Sequence, residues 1–223
     1  METTNTQSRL NPTVSDSYSF GWNQMKKYFL YLFLITIIMM VAQSLTGLGK
    51  DGEHVPATGQ LLIGIYWLLV LSVINYGGAY MYLKAVRDEP FEVVQMFDGF
   101  KSNFWNIVLA HLLTTLLIGI GIVMLIVPGI IVACRLAFVP YLVMDKKMDA
   151  VKALEKSWQM TKGHGWTIFF MGLLAIPIAI AGLLLLVVGI IFSAMWISAS
   201  FASIYHTVDQ LQENPNIETA PKT

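Results

Sequence analysis

Long apolar runs separated by short polar stretches dominate the chain. A helix needs about 20 mostly apolar residues to cross the ~30 Å hydrocarbon core of a bilayer, and residues 28–48 and 61–83 are runs of about this length. Residues 105–144 and 166–207 are about twice as long, and the Pro128-Gly129 pair and Gly189 near their midpoints predict tight turns. The pattern therefore predicts an all-α integral membrane protein, with six transmembrane helices in three hairpins joined by amphipathic cytoplasmic connecting helices. The predicted spans are residues 28–48, 61–83, 105–127, 129–145, 166–187 and 189–207.

The alternative is four spans, in which each of the two longest runs is a single tilted helix. Such a run at 1.5 Å per residue would be about 60 Å long, roughly double the membrane thickness, so six spans are favoured. Pro140 and Pro177 fall inside predicted spans, where they should kink the helix.

Composition agrees with a membrane protein and excludes several other classes. Only 13% of residues are charged, against about 25% in ordinary globular proteins, and the mean hydropathy is +0.62. A soluble fold could not cover its surface with so few charges, and a disordered chain would not be 56% hydrophobic. The basic and acidic residues balance at 14 each, which gives no attraction to nucleic acid. The single cysteine, Cys134, excludes an internal disulfide framework.

The basic residues predict the orientation. Of the 14, twelve fall on one side of the predicted spans, Lys50 falls on the other, and Arg135 lies within a span. The positive-inside rule then places both termini in the cytoplasm. The polar ends predict mobile tails at residues 1–19 and 208–223, around a membrane domain at residues 20–207.

Two polar connections are predicted to be helices lying on the membrane surface. In the first, residues 88–99, Phe91, Val94 and Phe97 recur on one face. In the second, residues 149–163, Ala150, Leu154 and Trp158 share a stripe. Two interpretations stay open: these helices cap the bundle, or they sense anionic lipid, to which each nearby basic residue adds about 1 kcal/mol of attraction. The lipid-binding candidates on or beside the second connection are Lys146, Lys147, Lys152, Lys156 and Lys162.

Two ionisable residues at membrane depth, Arg135 and His111, are candidates for a function because such residues are costly there. A turn at Gly129 places Arg135 about 9 Å from the outer side. Arg135 either snorkels to headgroups or faces the interior, and we expect the interior, with carbonyls near Pro140 and Pro177 or an anion as partner. His111 is either a neutral imidazole between helices or part of a transport site. The predicted polar layer consists of Asn75, His111 and Thr115.

The second and third hairpins resemble each other. Trp105 followed by Pro128-Gly129-Ile130-Ile131 aligns with Trp166 followed by Val188-Gly189-Ile190-Ile191. Related hairpins are common in transporters and in membrane scaffolds, so the repeat alone does not choose between them.

Residues 127–169 carry a longer motif. It reads VPGII, then CRLAFVPYLVMDKKMDAVKALEKSWQMTKGHGWTIF, with the core pattern A-L-x-x-S-W-x-x-T-x-G-x-x-W. This stretch resembles the bacterial membrane domain found ahead of some glycerophosphoryl diester phosphodiesterases, and its stand-alone relatives. The matching residues are Pro128, Gly129, Arg135, Pro140, Ala153, Leu154, Ser157, Trp158, Thr161, Gly163 and Trp166. The resemblance implies a helical module of the bacterial cytoplasmic (inner) membrane; the family's phosphodiesterase activity resides in a separate soluble barrel, which we do not recognise in this sequence.

The predicted function is a non-catalytic membrane scaffold or lipid-organising module. No catalytic motif, paired intramembrane carboxylates or metal-ligand spacing is present in the sequence, so we expect no enzyme activity, metal or other cofactor. The alternative is a transporter or channel for a small or lipidic anion that uses Arg135 and His111. The expected partners are membrane lipids, with a protein partner or a second copy as further candidates, and no nucleic acid.

Overall fold

The computed structural model describes residues 12–47 and 56–213. Within these ranges the chain is helical, with turns and no strand. The α-helices are α1 (Val14–Lys27), α2 (Phe29–Ser44), α3 (Ala57–Tyr66), α4 (Ser72–Val86), α5 (Phe104–Met124), α6 (Ile126–Arg135), α7 (Val139–Asp145), α8 (Ala150–Met160), α9 (Gly165–Leu184) and α10 (Leu186–Glu213). A π-helical turn, Trp67–Leu71, joins α3 to α4, and 3₁₀ segments lie at Leu45–Gly47 and Val93–Phe100.

Six helical stretches in the described residues are long and apolar enough to cross a membrane, so the all-helical class is confirmed and the number of candidate spans agrees with the prediction. They are Phe29–Gly47, Thr58–Val86, Phe104–Met124, Ile126–Asp145, Gly165–Leu184 and Val188–Glu213. Helices α4, α7 and α10 supply much of the buried core, to which α7 contributes Val139, Leu142 and Val143. Large apolar side chains on α5 and α9 stay exposed, as a lipid-facing surface requires.

The two tight turns lie about four residues earlier than predicted. Helix α5 gives way to α6 at Leu125, where the backbone is extended, and α9 gives way to α10 at Leu185. Pro128 instead lies in the first turn of α6, where its missing N–H costs nothing. Gly129 lies inside α6 and not in a turn. A Cβ there would lie 2.8 Å from the backbone nitrogen of Ile122 on α5. The glycine allows two helices to approach closely.

The third hairpin repeats this packing. A Cβ on Gly182 of α9 would lie 2.6 Å from the carbonyl oxygen of Gly189 on α10. Gly189 is therefore a packing residue as well, and the turn predicted there is also wrong. The glycine pairs Gly121–Gly129 and Gly182–Gly189 occupy equivalent places in the two related hairpins.

The folded domain extends beyond both predicted boundaries. Helix α1 begins after Thr13, whose side chain accepts a hydrogen bond from the Asp16 N–H, and its Ser17 and Tyr18 are buried. The Tyr18 hydroxyl donates to the Met171 carbonyl at 2.9 Å. Residues 14–19 are thus not a mobile tail, since tertiary contacts hold this largely polar helix. At the other end α10 continues to Glu213. Residues 1–11 and 214–223 of the predicted tails lie outside the described residues.

The two connections differ from the predicted amphipathic patterns. The first is 3₁₀ at Val93–Phe100, which buries Met96 and Gly99 and leaves Val94 and Phe97 of the predicted apolar face exposed, Val94 by 67%. Phe91, the third residue of that face, is half-buried against the core. The second contains α8, whose buried face is Ala150, Ala153, Ser157 and Met160. Trp158, expected on the inner stripe, is 41% exposed, because the small residues rather than the large ones let α8 lie against α5 and α7.

Candidate functional site

Helices α6 and α7 are interrupted at residues 136–138, in the middle of the fourth span. Pro140 lies within the first two residues of α7, so it begins a helix where we expected it to kink one. A proline at this place cannot donate to the carbonyl of Leu136, and its ring clashes with that carbonyl. The break leaves the Arg135 carbonyl and the Phe138 N–H without their usual helical partners.

Helix α8 supplies the missing partners. The buried Ser157 hydroxyl donates to the Arg135 carbonyl at 2.8 Å and accepts from the Phe138 N–H at 3.3 Å. The buried Thr161 hydroxyl also approaches the Arg135 carbonyl, at 3.3 Å. Ala153, one turn away, is fully buried and keeps α8 close. The S-W-x-x-T part of the motif therefore satisfies the backbone of the broken helix.

The guanidinium of Arg135 lies beside α8 and the start of α9. Its Cζ is 5.9 Å from the centroid of the Trp158 ring and 3.8 Å from the position of a Cβ on Gly165. Nη1 is buried and donates no hydrogen bond to a described residue. Arg135 is thus placed differently from the prediction. It follows the Leu125 turn by ten residues, or about 15 Å of helix, and its side chain extends toward α8 rather than toward Pro177, which is exposed on α9.

The rest of the motif shapes this region. Gly163 has a φ of +86°, a conformation that favours glycine, and the backbone turns there from α8 into α9. Trp105 and Trp166, near the starts of α5 and α9, are 76% and 72% exposed. Tryptophan at helix ends favours the headgroup level of a membrane.

The predicted polar layer is not assembled. His111 packs against the rings of Trp67 and Tyr76, with centroids 4.7 and 6.0 Å away. Thr115 is exposed and Asn75 half-buried, and no hydrogen bond joins these two described residues to His111. Equal depth along helices does not fix which way each side chain points, so the sequence could not show whether the three side chains meet. Nor do the described residues contain a group of three His, Cys, Asp or Glu that could hold a metal.

A second polar cluster, which the sequence reasoning missed, lies where α4 and α7 end beside α10. We call it the charged clamp: Arg87, Asp145, Lys146 and Asp209. Arg87 donates to both carboxylate oxygens of Asp145, at 2.6 and 2.8 Å, and also to Asp209 at 3.3 Å. Lys146 pairs with Asp209 and, at 3.0 Å, with Glu213.

The clamp is largely withdrawn from solvent. The side chains of Arg87, Asp145 and Asp209 are 17%, 11% and 6% exposed. Burial lowers the pKa of Arg87, but the hydrogen bond and charge of Asp145 outweigh it and raise the pKa above its usual value. Hydrogen bonds to Asp209 and Glu213 likewise overcome burial and raise the pKa of Lys146. A cavity of about 310 Å³ borders the clamp and is lined also by His206 and Gln210.

The five lysines proposed for lipid binding divide into two groups. Lys146 belongs to the clamp, because two carboxylates on α10 lie within its reach, and Lys156 donates to Gln212 at 2.7 Å. Lys147 and Lys162 are exposed, and Lys152 is 71% exposed beside Asp149, the residue before its helix. The structure therefore leaves Lys147, Lys152 and Lys162 available to a membrane surface.

Comparison with known proteins identifies the family. The family described as "Membrane domain of glycerophosphoryl diester phosphodiesterase" matches residues 95–210, just over half of the chain. This stretch contains the second and third hairpins, the break at Arg135, α8, and the clamp residues Asp145 and Asp209. No curated protein and no solved structure matches the chain. The family match, together with the six apolar helices and the break that the S-W-x-x-T motif closes, shows that the chain belongs to the glycerophosphoryl diester phosphodiesterase membrane-domain family.

Proposed function

We propose that the protein is a non-catalytic module of the bacterial cytoplasmic membrane that organises anionic lipid around it. The main observation that supports this proposal is where the carboxylates lie along the spans. Within the described parts of the six spans, carboxylates occur only at the end that holds the clamp, as Asp145, Asp209 and Glu213. Proton- or sodium-coupled carriers usually place acids along the membrane path, so this distribution favours a scaffold over a transporter.

The arrangement proposed is three hairpins with the clamp end toward the cytoplasm. Close packing of α5 on α6 and of α9 on α10, through the two glycine pairs, supports the second and third hairpins. The first consists of α2 and the α3–α4 stretch, and Gly78 of α4 lies against the Met39 side chain of α2. The 3₁₀ segment and α8 form the connections on the clamp side, and their exposed apolar residues Val94 and Trp158 suit a membrane surface.

The orientation can be tested by cysteine labelling in intact cells. In a Cys134→Ser background, a cysteine at Thr58 should react with a membrane-impermeant maleimide from outside, whereas one at Lys162 should react only after permeabilisation. Both positions are exposed. Labelling of Lys162→Cys in intact cells would overturn the orientation.

The lipid function is tested with the full chain in vesicles of phosphatidylcholine and phosphatidylglycerol at low salt. Native mass spectra of the extracted protein should show phosphatidylglycerol enriched over its bulk fraction. Replacing Lys147, Lys152 and Lys162 together by glutamine should reduce that enrichment, because each basic residue near an anionic leaflet adds attraction. Lys27→Gln removes one lysine that lies outside this group and pairs with Asp88 at 2.6 Å, and it should leave the enrichment unchanged.

Two results would count against the proposal. Absence of phosphatidylglycerol enrichment in the wild-type protein would remove the lipid-organising role. Protein-dependent flux of a small anion across the same vesicles, lost in Arg135→Gln, would establish the alternative transporter function.

A further inference from the structure

We infer that the Arg135 guanidinium and the first turn of α9 together hold a phosphate group, beside the exposed ring of Trp158. The inference rests on the proposed lipid function and deepens it by naming the chemical group bound and the residues that bind it. Three independent features support it: the charge around Arg135, the space at Gly165, and the level at which the site lies.

The charge is the first feature. Arg135 takes part in none of the ion pairs among the described residues. Its Nη2 lies 4.0 Å from the position that a Cβ on Gly165, the first residue of α9, would occupy. The first N–H groups of a helix have no partner within it and carry the positive end of the helix dipole. A guanidinium and a helix N-terminus repel each other, and an anion that both can bind converts this repulsion into attraction.

The guanidinium of Arg135 also has unused hydrogen-bonding capacity. Nη1 of Arg135 is buried yet donates to no described residue, although the carbonyl of the same residue is satisfied by Ser157. A planar guanidinium matches two oxygens of a phosphate or carboxylate. The two non-bridging oxygens of a phosphodiester keep free lone pairs when the guanidinium holds them, so the same group can also accept from the amides of α9.

Space and level complete the site. The absent side chain at Gly165 leaves the guanidinium accessible from α9, since even a single Cβ there would be in van der Waals contact with Cζ. Trp158 and Trp166 border this opening and are 41% and 72% exposed. Indole rings favour the headgroup level, where the phosphates of lipids lie. The chemistry shared by a lipid headgroup and a free phosphate ester is the phosphate group, and the experiment separates the two sources.

The experiment measures ligand retention by native mass spectrometry on the full chain in detergent. Three probes are titrated: phosphatidylglycerol, a phosphate-free glycolipid with the same acyl chains, and glycerol phosphate. Arg135→Gln should weaken retention of the phosphate-bearing probe about tenfold, the effect of losing one charge-assisted contact. Arg135→Lys should show a smaller loss, because it keeps the charge without the planar fork.

Gly165→Val provides a second test that keeps Arg135. The valine side chain should fill the opening and reduce retention several-fold, while Gly172→Val on the same helix should not, since no atom lies within 4 Å of a Cβ at Gly172. Lys101→Gln, an exposed lysine, is the control for loss of one positive charge. Thermal unfolding of each variant identifies any that fail to fold, and the variants that do fold still test the phosphate site.

The outcomes distinguish the hypotheses. Weaker phosphatidylglycerol retention in Arg135→Gln and Gly165→Val, with the glycolipid unaffected, supports a lipid phosphate. The same variant pattern for glycerol phosphate alone supports a free phosphate ester. If both variants retain every phosphate probe as well as wild type does, the Arg135 site is refuted, whereas the lipid function stands or falls separately with the enrichment of phosphatidylglycerol around the wild-type protein.

Discussion

Replacing Ser157 by alanine removes one oxygen atom at the point where α8 meets the broken helix. The hydroxyl accepts from the Phe138 N–H and donates to the Arg135 carbonyl, and both Ser157 and Phe138 are fully buried. In Ser157→Ala the Phe138 N–H loses its partner where water cannot replace it, which costs about 1–3 kcal/mol. The Arg135 carbonyl retains the longer contact from Thr161, at 3.3 Å, so the loss of its Ser157 hydrogen bond adds little to this cost. We therefore expect the free energy of unfolding to fall by about 2 kcal/mol.

The assay is an unfolding titration in mixed detergent micelles followed by tryptophan fluorescence. Ser44→Ala is the matched control, because its exposed hydroxyl donates to a carbonyl within its own helix end, and its effect should stay within about 0.5 kcal/mol. If Ser157→Ala and Ser44→Ala change the free energy of unfolding equally, Ser157 does not hold the break closed and the structural explanation of the motif fails.

Two further predictions concern the clamp and the helix packing. Arg87→Met should lower the free energy of unfolding by about 3–5 kcal/mol, since it leaves the buried carboxylates of Asp145 and Asp209 without their guanidinium; a melting temperature equal to that of the wild type would contradict this. Gly121→Ala should destabilise by about 1–3 kcal/mol, because its Cβ would lie 2.9 Å from the Gly129 Cα. Gly119→Ala on the same helix, where a Cβ meets open space, should instead stabilise by about 0.5–1 kcal/mol, and equal effects of the two changes would refute the close approach of α5 and α6.

Hydropathy predicted the six spans because their length and apolar composition are local properties. It could not place the hairpin turns, since glycine and proline have two uses that look alike in a sequence. Gly129 and Gly189 suit a turn, yet they permit close contact between helices, and Leu125 and Leu185 carry no turn signature. Which use applies depends on the neighbouring helix.

The same dependence on tertiary contacts explains what was missed at the site. Arg135, Ser157 and Thr161 were recognised as motif positions, but their meeting requires the break before α7 and the insertion of α8, which no spacing rule reveals. The clamp was not predicted, because Arg87 entered the sequence analysis only through the count of basic residues on one side of the spans. The available signal was that opposite charges end α4 and α7 and recur near the end of α10, all on one predicted side.

The most direct test of the account at Arg135, in which the guanidinium holds a lipid phosphate, is an experimental structure of the full chain in nanodiscs that contain phosphatidylglycerol. We predict headgroup density within hydrogen-bonding distance of the Arg135 guanidinium, between Trp158 and the first turn of α9, with the acyl chains running along α9. An Arg135 guanidinium paired with a carboxylate or carbonyl of the protein, with no headgroup beside it, would contradict the account.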